Sequence, residues 1–137
     1  MQKQHLEQYY LDRDYNCAES VLRGANDEFD LQIPEEGLKL VGAYGGGLGC
    51  GITCGALCGA MAAISAARIH ERAHEDPAFK DVCSGFVARF EEKMGSLQCK
   101  ELKERFQKEG KRCFAVVEQT AELLEDYLKE LEQGKEE

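Results

Sequence analysis

A surplus of basic charge, a long apolar run and the alternation of a sheet strand are all missing from this chain, and each absence removes a class of protein. Lys and Arg total 17 against 26 Asp and Glu, a formal net charge of −9. Binding a phosphate backbone needs clustered cations and counterion release, so the charge argues for no nucleic-acid partner. The longest weakly apolar stretch, Leu48 to Ala67, is rich in Gly, Ala and Ser, contains Thr53 and runs into a charged segment. It reads as a packed helix, with no membrane span. The opening MQKQHLEQYYLDRDYN lacks the basic region, apolar core and small-residue cleavage site of an export signal, which makes the expected location cytoplasmic. Val, Ile and Thr are sparse and nowhere alternate with polar residues for long enough to make a strand. Two motifs are also absent: Cys-x-x-Cys-His for covalent haem and Gly-Lys-Ser/Thr for a phosphate loop.

What remains is helical. The 137 residues suit a single domain, 1–137, long enough to bury a core without staples. Pattern and cap signals predict an all-α, compact bundle of about six to seven helices. The first spans Gln2 to Leu11. Asn16 and Glu19 match a capping box that opens a second, running to Phe29. Pro34, followed by Glu35 and Glu36, starts a third, which Gly45, Gly46 and Gly47 end. After this glycine-rich loop Thr53 can cap a central, small-residue helix from Cys54 to Arg72. Asp76-Pro77 opens a fifth helix to Met94, Ser96 caps a sixth from Leu97 to Lys108, and Lys111 to Glu132 forms an amphipathic seventh with a frayed tail, 132–137.

Seven cysteines demand an explanation. In a reducing compartment such a set serves metal binding, catalysis or redox sensing more often than permanent disulfides, and an odd count leaves one thiol free or paired between chains, as in a homodimer. Cys17, Cys54, Cys99 and Cys113 fall at four predicted helix starts. Unpaired amides and the positive dipole end there stabilise a thiolate, the form that attacks disulfides and ligates metals. In a thiol–disulfide relay Cys54 is the expected attacking thiolate, with a second cysteine resolving it. The bare backbone of Gly45, Gly46, Gly47 and Gly55 would let a cofactor or second chain approach closely. Cys50 and Cys58 stand four residues either side of Cys54, and a helix extended back to Cys50 would put all three on one face as further ligands. Cys83, inside an apolar stripe, reads as a small buried hydrophobe. His70 and His74 could present two imidazoles on one face, but a solvated helix end before Pro77 is the better reading. Tyr9, Tyr10, Tyr15 and Tyr44 could line a pocket near the thiols, though packing is the commoner role of such rings.

The ordered set of Cys17 in Asn16-Cys17-Ala18-Glu19-Ser20-Val21-Leu22, the triple glycine, Cys54-Gly55-Ala56-Leu57-Cys58-Gly59, then Cys99 and Cys113, resembles the C_GCAxxG_C_C family of redox-active proteins. The likeness covers Asp14 to Leu131, and Cys50, Cys58 and Cys83 are extra to its pattern. It implies a redox-active protein associated with oxidoreductase or transport systems, similar to the amino-terminal part of split-Soret cytochromes c, which carry haem and an iron–sulfur centre. Two readings of the four cysteines stay open: ligands of an iron–sulfur cluster in electron transfer, or a thiol–disulfide relay serving a redox partner protein or small sulfur or thiol species. The rival is a non-enzymatic helical binding module with structural zinc, or with no cofactor and inert packed cysteines.

Overall fold

The computed structural model describes residue 1 and residues 3–136. Seven α-helices and no strand occur among them: α1 Lys3–Glu7, α2 Cys17–Phe29, α3 Glu35–Leu38, α4 Gly55–Arg68, α5 Phe79–Met94, α6 Cys99–Phe106 and α7 Phe114–Glu136. The all-α bundle read from the sequence is therefore the fold. Gln2 lies outside the described residues, as does Glu137 at the end of the expected frayed tail. Within that tail the backbone continues as helix to Glu136.

Several boundaries differ for local reasons. The first helix widens into a π-helical turn, Gln8–Asp12. α3 is short and tightens into a 3-10 segment, Lys39–Tyr44, before Gly45 turns the chain out into extended backbone. α4 stops at Arg68, where Ile69 adopts an extended conformation, so His70 and His74 are not on that helix. His74 lies in a short 3-10 turn, Ala73–Glu75. The Glu75 carboxylate there accepts the backbone N–H groups of His70 and Glu71 at 2.7 and 3.0 Å. Asp76 accepts the Ala78 N–H at 3.0 Å, but α5 starts only at Phe79, with Ala78 in the cap position and no side-chain cap bond, so the expected start at Asp76-Pro77 lies ahead of the helix.

α2 and α4 form the centre. Their backbones approach closely because α4 is built of small residues, and a Cβ added at Gly59 would collide with the Ala18 carbonyl on α2. α7 packs across α2, α4 and α5. Phe86, Phe90 and Met94 of α5 and Val117, Ala121 and Leu124 of α7 are fully buried between them. The Tyr127 hydroxyl donates to the Val82 carbonyl at 2.6 Å, which tethers α7 to α5. Arg23 is buried in α2 and spends its charge locally. Its guanidinium meets both Glu35 oxygens at 3.1 and 2.8 Å and lies 4.0 Å from the Tyr15 ring centroid.

A four-thiol cavity at the helix starts

Four cysteines begin or cap four different helices. Cys17 is the first residue of α2, whose capping box is complete: the Glu19 N–H donates to Asn16 Oδ1 and the Asn16 N–H to Glu19 Oε1, both at 3.0 Å. Asn16 Nδ2 also donates to the Gly42 carbonyl at 2.9 Å, which fixes the start of α2 against the segment before the glycine loop. Cys54 is itself the cap residue of α4. Thr53 does not take that place because it is paired with Gln98 in an isolated antiparallel bridge. The bridge joins two thiols: the Cys54 N–H donates to Leu97 O at 2.8 Å and the Cys99 N–H to Ile52 O at 2.5 Å. Cys99 opens α6, so that helix starts two residues after the expected Leu97. Cys113 immediately precedes α7. Its carbonyl accepts from Val116 and Val117 at 3.0 and 3.3 Å, and its N–H donates to the Tyr10 hydroxyl at 3.1 Å.

Cys17, Cys54, Cys99 and Cys113 all line one cavity of about 230 Å³. Leu102 and Val116 contribute apolar wall, Gly46 and Gly55 backbone, and Tyr10, Asn16, Lys103, Gln107 and Arg112 polar groups. The glycines divide by role. A Cβ at Gly55 would strike Cys17 Sγ, one at Gly45 the Asn16 side chain, and one at Gly47 the Cβ of Cys99, so these three make room for site residues. Gly46, with φ of +65°, has nothing within 4 Å of such a Cβ and is the one that leaves open space.

Burial favours the neutral form of Cys54, Cys99 and Cys113. Burial pushes Cys54 up to about 12, and the Leu57 and Ala56 N–H groups that donate to its sulfur, pulling the other way, do not cancel this. Burial also raises Cys99 and Cys113. The neighbouring Cys17 adds to both shifts, and Lys103 opposes both. The lowered values expected at the helix starts of Cys54, Cys99 and Cys113 are therefore overturned by desolvation, which outweighs the dipole there. All seven cysteines are free, and no group of three His, Cys, Asp or Glu among the described residues is assembled to hold a metal ion.

The remaining cysteines lie elsewhere. Cys50 is exposed on the loop Gly47–Gly51, where Leu48, Gly49 and Gly51 have φ of 61°, 74° and 79°. That left-handed run prevents α4 from extending back, so Cys50, Cys54 and Cys58 do not share a helix face. Cys58 is half-buried and borders a separate apolar groove with Leu40, Tyr44 and Met61. Cys83 is half-buried on α5. Of the four tyrosines, Tyr10 reaches the thiol cavity, whereas Tyr9 and Tyr15 flank Arg13 at 5.7 and 5.2 Å. Lys103, Gln107 and Arg112 were not legible as site residues, although Lys103 stands one helical turn after Cys99 and Arg112 directly precedes Cys113.

An all-α protein with four helix-start thiols around one cavity is the class that fold and site define. Residues 15–127 match the family described as "Putative redox-active protein (C_GCAxxG_C_C)", and the chain belongs to that family. No curated protein and no solved structure matches it.

Proposed function

We propose that the cavity is a redox centre in which Cys17, Cys54, Cys99 and Cys113 supply the thiolates for an iron–sulfur cluster. The observation that carries this reading is the meeting of four thiols, from four separate helix starts, around one cavity of about 230 Å³. Four thiolates are the donor set of both [2Fe–2S] and [4Fe–4S] centres. Four sulfurs bordering a volume suit a multi-atom occupant better than a single zinc ion. When bound, such a cluster supplies one-electron transfer. The chain's own residues orient the sulfurs through the Thr53–Gln98 bridge and the Asn16 cap, and would release thiol protons on loading. Lys103, Gln107 and Arg112 are exposed where they border the cavity, and it is there that a redox partner protein would approach.

Anaerobic reconstitution with iron and sulfide, read by visible absorption and by iron and sulfide analysis, tests this. Wild type, C50S and C83S should become coloured, and C17S, C54S, C99S and C113S should lose most of the bound iron. Wild-type protein that stays colourless and iron-free overturns the reading.

One observation favours a thiol relay as the second reading. Cys17 acts electrostatically on Cys54, Cys58, Cys99 and Cys113, so it is the thiol that the others share. In that case two protein thiols and a small-molecule disulfide exchange to one protein disulfide and two small thiols, with two electrons and two protons passing to the partner. Thiol titration after mild oxidation should then show the loss of one pair. An unchanged count excludes the relay.

A further inference from the structure

Resting on the reading of the cavity as an iron–sulfur centre, we infer that Lys103 and Arg112 are positioning residues that offset the charge of the loaded cavity and raise its reduction potential. The composition of the wall carries the argument. In a chain of 26 acidic and 17 basic residues, the charged groups that line this cavity are both cations, and no Asp or Glu borders it. The other polar groups, Tyr10, Asn16 and Gln107, are neutral.

Both cations are placed by the same elements that place the thiols. Lys103 follows Cys99 by four residues on α6, so the two share a helix face. Arg112 adjoins Cys113 in a turn closed by the Lys108 N–H donating to the Arg112 carbonyl at 3.0 Å, and its φ is 48°. Its guanidinium donates to the Tyr10 carbonyl, lies 4.2 Å from the Tyr10 ring centroid, and has Asp14 Oδ1 at 3.2 Å. Four thiolates and a sulfide-bridged cluster together carry net negative charge, and reduction adds one more. Nearby positive charge favours the more negative, reduced form, so it raises the potential.

The test is a redox titration of reconstituted wild type, K103M, K103R, R112Q, D14N and K80M, each first assayed for iron and sulfide. K103M and R112Q should load and titrate at lower potential, and K103R should stay near wild type. D14N removes the carboxylate that offsets Arg112 and should titrate higher. Lys80 is exposed on α5 and does not line the cavity, so K80M controls for net charge alone. Loaded K103M and R112Q at the wild-type potential, or a K80M shift as large as that of K103M, would overturn this assignment and leave the cluster reading intact. A wild type that takes up no iron overturns both.

Discussion

Cys54 should be the slowest of the seven thiols to alkylate in the folded, reduced, metal-free protein. Its side chain is 4% exposed, and burial pushes its thiol from a usual value of 9.0 up to about 12. At about pH 7 that lowers the thiolate fraction from roughly one in a hundred to roughly one in a hundred thousand, a loss of about a thousandfold. A more basic thiolate is also a better nucleophile. With a Brønsted slope of about 0.4–0.5 the gain is roughly 16- to 32-fold, which leaves Cys54 about 30- to 60-fold slower from ionisation alone. Steric closure by α4 and the bridge to Leu97 adds to this. The assay is iodoacetamide labelling over time with site-resolved mass spectrometry, using exposed Cys50 as the fast reference and a urea-unfolded sample to equalise the sites. Equal rates at Cys54 and Cys50 in the folded protein would refute the argument that desolvation beats the helix dipole here. Protection in the folded state, abolished by urea, is the expected result.

Other perturbations follow from the same geometry. Because the folded value of Cys54 is raised, its contribution to stability is complete below about pH 9 and fades as pH rises toward 12. By about pH 11 the loss is about 3 kcal/mol, and urea melts of metal-free wild type against C54A should show a steeper alkaline decline in wild type. N16A removes both the α2 cap and the bond to Gly42, and should lower stability by about 1–2 kcal/mol in urea unfolding; a loss near zero would deny the cap its role. G55A drives a methyl into Cys17 Sγ and the Tyr44 carbonyl, at a cost of about 1–3 kcal/mol and reduced iron uptake. G134A, on an open stretch of α7, should instead stabilise by about 0.5–1 kcal/mol, and the pair of melts separates crowding from helix propensity.

The helices were legible because their signals are local. The Asn16 and Glu19 pair announced α2 through contacts within a few residues of chain, whereas Asp76-Pro77 marked only the turn ahead of α5. The positions of Cys17, Cys54, Cys99 and Cys113 at helix starts followed from the same signals. Their meeting in one cavity depends on partners distant in sequence, such as Thr53 with Gln98 and Cys113 with Tyr10, which no periodicity reveals. Acidity was misjudged for a related reason: a helix start is visible in sequence, but the burial that outweighs it is a property of the assembled core. The loop misled in another way. Spacing of four put Cys50 and Cys58 in step with Cys54, yet the left-handed run from Gly46 to Gly49 breaks the helical register.

The wall of the cavity also has an order in time. Tyr10 and Cys17 leave the ribosome before Cys113, which immediately precedes a helix whose packing surface is supplied by α2, α4 and α5. A nascent chain holding only the first three thiols has neither α7 nor the Cys113 N–H to seat the Tyr10 hydroxyl. An occupant held by all four thiols would therefore need the folded wall, Cys113 included. Such an occupant would add its own binding free energy to the stability of the fold.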